Sequence, residues 1–127
     1  MTAYISGHLK INTLEFLEHY VSKINEALRN NHKFVVGDAE GVDTIAQKYL
    51  YDLFDNSQID VTVFHMFTKP RNNAGNFKTV GGFTTNEDRD AAMTAASDYD
   101  IAWVRPGKEK SGTAKNLKRR KTLKVTN

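Results

Sequence analysis

Four short, mostly apolar runs, at residues 3–5, 34–36, 61–66 and 101–104, are separated by longer stretches that, outside residues 68–83, carry apolar residues at every third or fourth position. No other feature of the chain restricts its fold as much. Short runs that are apolar on both faces suit strands buried in a parallel sheet, and the 3.6-residue period between them suits helices packed on that sheet. Strand alternating with helix implies crossovers of one hand and helices on both sheet faces. The expected fold is therefore α/β, a Rossmann-like three-layer sandwich with a mostly parallel sheet of four or five strands. At 127 residues, positions 1–127 suit a single domain with one core.

Within the first helical stretch Leu14, Leu17, Val21, Ile24 and Leu28 follow the period. Asn12 or Thr13 is placed to cap its start, and Asn30-Asn31 ends it. A second helix is expected over 42–54, with Val42, Ile45, Ala46, Tyr49 and Leu53 on its inner side. A third is expected from Thr84 or Thr85 to about residue 96, with Glu87 in its first turn. Residues 68–83 hold Pro70, Gly75, Gly81 and Gly82 and no periodicity, which predicts a long loop of a kind that often serves function. Its Arg71, Asn72 and Asn73 read as mobile residues placed to close over a ligand. A short helix opens at Gly112, and 123–125 reads as a last strand.

Composition narrows the setting. The absence of cysteine removes disulfides and thiolate metal sites. The opening residues show no basic stretch followed by an apolar one, and no apolar run approaches the roughly 20 residues of a membrane span, so a cytoplasmic location without a membrane partner is expected. The net charge of +3 is unevenly spread: six of the eighteen basic residues lie in 115–124, KNLKRRKTLK, with no acid among them. Such a run suits either a solvated last helix or contact with a nucleic-acid backbone.

In open parallel sheets ligands bind outside the carboxyl ends of the strands. That rule selects the loops at 6–8, 37–43, 70–83 and 106–113, which are also the glycine-rich ones. In GDAEGVD, Gly37 and Gly41 allow a sharp turn, while Asp38 and Asp43 either cap it or meet a ribose or an ammonium. In PGKEKSGTAKN, Ser111, Gly112 and Thr113 stand where a helix begins, and free amides there attract phosphate. Neither segment is a Walker motif or a GxGxxG fingerprint. His8 and His65 have no partner at metal-ligand spacing, and neither a metal nor a cofactor is expected. Trp103, on a strand, reads as core.

From Tyr4 to about Arg119 the layout resembles the SLOG superfamily, which joins LOG phosphoribohydrolases, YpsA-like proteins and the DNA-processing protein A domain. VVGDAEGVDTIAQKYL looks like the YpsA-type strand, glycine turn and helix. NEDRDAAMTAASDYDIAWVRPGKEKSGTAKNL is similar to the second half of the superfamily's site, where an arginine-bearing helix leads into an apolar strand and a Gly-Thr helix start. The resemblance implies a nucleotide-derived phosphate ligand bound by Ser6 and Gly7, by Gly37, Asp38, Gly41 and Asp43, and by Arg89, Ser111, Gly112, Thr113 and Asn116. It also implies a homodimer. The chain further resembles deoxynucleoside-monophosphate N-glycosidases and nucleoside deoxyribosyltransferases, which begin with a strand like Tyr4-Ile5-Ser6-Gly7 and carry an aspartate matched by Asp90. Where their bond-cleaving members place a glutamate, this chain has Asn116, and an amide neither takes a proton at neutral pH nor attacks an anomeric carbon. Asp90, Arg89 and Glu109 are the remaining catalytic candidates. The function implied is ligand binding as a sensor or sequestering module. The alternatives are N-glycoside hydrolysis of a (deoxy)nucleoside 5′-monophosphate and a nucleic-acid accessory role.

Overall fold

The structure, a computed structural model, describes residues 1–53 and 58–126, with side chains as far as Lys124. It is α/β. Strands β1 (Thr2–Ser6), β2 (Lys33–Gly37), β3 (Val61–Met66), β4 (Lys78–Phe83) and β5 (Tyr99–Ala102) form one sheet in the order β4-β3-β2-β1-β5, parallel throughout. The chain winds outward from β1 to β4 and then returns to add β5 on the other side of β1. The strand order therefore reverses between β1 and β5, the position where parallel sheets of this type open a crevice.

Residue alternation along the strands builds two cores. Ala3, Ile5, Phe34, Val36, Val61, Val63 and Ile101 share one face. It is covered by a helical segment made of α1 (Thr13–Phe16), a π-helical turn (Leu17–Val21) and α2 (Ser22–Arg29), and by α3 (Val42–Leu53). Fully buried side chains such as Ile5, Ile24 and Leu50 each contribute about 2 kcal/mol by leaving water. On the other face Tyr4, Val35 and Phe64 pack under Met93 of α4 (Asn86–Ala95), and α5 (Gly112–Thr126) docks beside α4. Helices on both faces make a Rossmann-like three-layer fold. Among the described residues no helix is long and apolar enough to cross a membrane.

Several expectations are corrected. Residues 68–83 are not all loop, because 78–83 form β4. As an edge strand with almost every residue exposed, β4 carries no apolar run, and Gly81 and Gly82 disguised it as a turn. Residues 123–125 continue α5 rather than forming a strand, so the outer side of β5 stays unpaired among the described residues. β5 itself begins two residues earlier than expected, at Tyr99.

The first helical segment buries Phe16, Tyr20, Ile24 and Ala27 and leaves Leu14 and Leu17 exposed. The π turn shifts the stripe so that the two aromatic rings, stacked with centroids 5.3 Å apart, fill the core. α3 buries Val42, Asp43, Ala46, Gln47 and Leu50, while Leu53 is exposed. Residue 54, the expected end of that helix, lies outside the described residues. The caps fall where the sequence placed them: Asn12 forms a capping box with Glu15, and Thr85 accepts from the Asp88 N–H.

Candidate functional site

The carboxyl ends of β1, β2 and β5 come together at one edge of the sheet, and two different environments flank the tip of β1. On the β2 side lies a buried charge cluster. Asp38, fully buried directly after β2, accepts from Arg89 Nη1 at 2.9 Å and from Arg71 through its backbone N–H at 2.8 Å, Nη2 at 3.0 Å and Nε at 3.3 Å. Burial alone would raise the Asp38 pKa, but the Arg71 bonds and the Arg89 charge outweigh it and hold the carboxyl low. Arg89, on the inner side of α4, also donates to Asp90 Oδ1 from Nη2 at 3.1 Å and from Nε at 3.3 Å. Burial works against its charge, yet Asp90, Asp43 and Asp38 together raise its pKa. The guanidinium, buried on the inner side of α4, is thus occupied by two carboxylates.

Asp43 belongs to the same cluster. It is buried in the first turn of α3, where Oδ2 accepts from the Ala39 N–H at 3.1 Å. Burial pushes its carboxyl up to about 7; the Ala39 bond and Arg89 oppose the rise, and Asp90 and Asp38 add to it. Such a group exchanges its proton near neutral pH, a property shared by acid–base residues in enzymes. The rest of the 37–43 turn is used internally. Gly41 has φ +77° and lies so close to the His8 and Leu9 carbonyls that no side chain fits. The Val42 N–H donates to His8 O at 3.2 Å, and Thr44 Oγ1 donates to Ala39 O at 2.8 Å. This turn joins α3 to the first loop and leaves few amides open.

The loop after β3 is tied down. Besides the Arg71 clamp, Asn72 Nδ2 donates to Asp38 O at 2.9 Å. Gln47, fully buried on α3, donates to Gly37 O and Asn72 O and accepts from the Ala74 N–H. Asn73 bonds Phe77 in both directions. The mobile segment expected from its polarity is therefore an anchored strap. Gln47 escaped the sequence reading because a lone polar residue in an amphipathic helix looks like part of the solvated side.

On the β5 side the buried groups are neutral, apart from one ion pair. Ser6 ends β1 in register with Ala102. Its hydroxyl is buried, and it has no hydrogen-bond partner among the described residues. The pleat sets Ser6 on the same face as Tyr4. The Tyr4 phenol accepts from Asn116 Nδ2 at 2.9 Å, while its own proton has no acceptor among the described residues. Burial, with Asp90 and Asp43 nearby, pushes that phenol up, so it stays protonated. α5 meets this face through a polar stripe: Thr113, Asn116 and Arg120 are its buried residues. Arg120 pairs with Asp100 at 3.2 Å and donates to Thr94 O, Ser97 O and Ser97 Oγ.

Ser111 is the helix cap. Its Oγ accepts from the Ala114 N–H at 3.2 Å, which leaves the Gly112 and Thr113 amides as the donors of the helix start without a partner among the described residues. Gly7 follows Ser6 where a β-carbon would strike Val42 and the Tyr20 hydroxyl. That hydroxyl donates to Ser6 O at 2.8 Å and accepts from the Trp103 N–H at 3.1 Å, pinning the tips of β1 and β5 together. Tyr20 was not singled out from sequence, since only the π turn aims it there.

The remaining candidates fall elsewhere. Glu109 is exposed and accepts from the Gly107 N–H, away from the buried carboxylates. Asn116 is built into the fold between Tyr4 and Arg119. His8 Nε2 accepts from the Arg105 N–H at 2.9 Å, and Trp103 is half-buried with its ring stacked on His19 at 3.9 Å. Among the described residues no group of three or more His, Cys, Asp or Glu is placed to hold a metal. Comparison with protein-family models, with curated proteins and with solved structures gave no match.

Proposed function

We propose that the chain binds a nucleotide-derived phosphate ligand in the crevice between β1 and β5, as a SLOG-type sensor or sequestering module. The observation that carries this reading is the buried Ser6 hydroxyl, without a partner among the described residues, at the point where the strand order reverses. A buried hydroxyl without a partner costs about 1–3 kcal/mol, which a fold retains where the group serves another purpose. Its surroundings favour an acceptor-rich guest. The Tyr4 proton and the Gly112 and Thr113 amides are unspent donors on the same side of the sheet, and a helix start adds a partial positive charge. The cations of the buried cluster, Arg71 and Arg89, are already matched by Asp38 and Asp90, so in this reading the neutral donors carry the recognition.

A thermal-shift panel of nucleoside monophosphates and diphosphates, ADP-ribose and cyclic dinucleotides tests the reading. At least one should raise the melting temperature of the wild-type protein and lose that effect with Ser6→Ala. Silence across the panel would refute the proposal.

A second reading, N-glycoside hydrolysis of a nucleoside 5′-monophosphate, is favoured by Asp43, a buried carboxyl titrating near neutrality beside Tyr4 and Asp90. In that reading Asp43 takes a proton from the attacking water. Free base released from a nucleotide mixture, and lost with Asp43→Asn, would support it, and its absence after prolonged incubation would exclude it.

A further inference from the structure

The basic run at 115–124 divides once α5 is seen in place. Arg120 is buried on Asp100 and serves the fold. Arg119 donates to Asn116 Oδ1 at 2.6 Å and is half-buried. The other four cations, Lys115, Lys118, Lys121 and Lys124, are exposed, and none has an acidic partner among the described residues. The helix itself contains no acid. Its inner side is fixed by neutral and paired polar contacts, so these lysines contribute nothing to docking α5 on the sheet.

Their spacing is regular. Each follows the last by three residues, so the four span about 14 Å along the helix axis. One strand of a duplex advances about 3.4 Å per phosphate, which sets roughly four phosphates along the same length. Successive lysines are turned by about 60° around the axis, so Lys115, Lys118 and Lys121 lie within about 120° on the side away from buried Thr113, Asn116 and Arg120, while Lys124 turns off that side near the end of the helix. The chemistry of the face narrows the partner further. Between Lys115 and Lys124 the only exposed apolar side chain is Leu123, so there is no anchor of the kind that carries a protein–protein interface. No aromatic residue lies on α5, so there is no platform on which unpaired bases stack. What remains is a row of point charges, suited to the phosphates of a paired backbone and indifferent to sequence.

We infer that the outer face of α5 is a docking surface for the backbone of a nucleic-acid duplex, separate from the crevice between β1 and β5. Binding of the full chain to a fluorescent 25-base-pair DNA duplex, measured by anisotropy across salt concentrations, tests this. About three neutralised phosphates give a slope of log K against log salt of about −2.7, or roughly a 40-fold loss of affinity between 50 and 200 mM salt. Two duplexes of unrelated sequence should bind alike. Changing all four lysines to Gln should abolish binding while leaving the circular dichroism spectrum intact. Should that variant misfold, Lys118→Gln alone should flatten the slope by about 0.9.

No binding at 50 mM salt would overturn the inference, as would a slope unchanged by the substitutions. Tighter binding to a single strand of equal length would overturn the duplex assignment. Equal binding to polyglutamate would move the assignment to an acidic protein partner. None of these results bears on the ligand panel, whose readout depends on Ser6.

Discussion

Replacing Ser6 with Ala gives two effects of opposite sign. The hydroxyl is buried and unpartnered among the described residues, so its removal relieves a desolvation penalty of about 1–3 kcal/mol. Losing the oxygen's own packing contacts returns a few tenths of that. A net gain of about 1 kcal/mol is expected for the free protein. With an unfolding entropy of about 2.1 cal/mol/K per residue, 127 residues give about 270 cal/mol/K. The melting temperature should therefore rise by about 4 °C. If the same hydroxyl donates to a bound phosphate, that charge-assisted bond is worth about 1.5–3 kcal/mol, and affinity should fall roughly ten- to hundredfold. Differential scanning calorimetry with and without the best ligand of the panel reads both quantities. A polar side chain that merely stabilised the tip of β1 would lose stability on truncation. A melting temperature lowered by more than 2 °C would therefore refute the account, and unchanged ligand affinity would detach Ser6 from the site.

Three further outcomes are expected. Between about pH 4 and 7 the folded state keeps a proton on Asp43 that the unfolded chain has released, so this group makes stability fall as pH rises through that window. Asp43→Asn retains an acceptor for the Ala39 N–H, and its stability relative to wild type should grow from pH 5 to about pH 7 and level off by pH 8 in urea titrations; a constant difference would mean Asp43 is ionised throughout. Arg120→Met leaves the Asp100 carboxylate buried and unpaired, which should cost about 3–5 kcal/mol in chemical denaturation, and a loss under 1 kcal/mol would show that Asp100 finds water instead. Gly41→Ala forces a side chain into a positive-φ site against the His8 and Leu9 carbonyls. A cost of at least about 2 kcal/mol is expected from the midpoint of urea unfolding, and near-neutral behaviour would mean the turn relaxes easily.

Local physics was enough to fix much of this chain. The four apolar runs, the caps at Asn12 and Thr85, and the glycine turns at 37–41 and 112 act through backbone preference and short-range periodicity, and they specified a parallel α/β sheet with glycine-rich loops at one edge. Features that depend on partners distant in sequence stayed hidden. β4 is held by pairing with β3, whatever its own composition. The inner stripe of the first helical segment is chosen by the volume beneath Phe16 and Tyr20, and Tyr20 reaches the tips of β1 and β5 only because a π turn rotates it. Arg89 was singled out only through the resemblance, as a ligand or catalytic candidate, and its pairing with Asp38, 51 residues away, is set by the fold. A residue's type sets which bonds it is able to make, but the folded neighbourhood sets which of them are spent. That is why the unspent Ser6 hydroxyl, the feature on which the functional reading rests, is visible only in three dimensions.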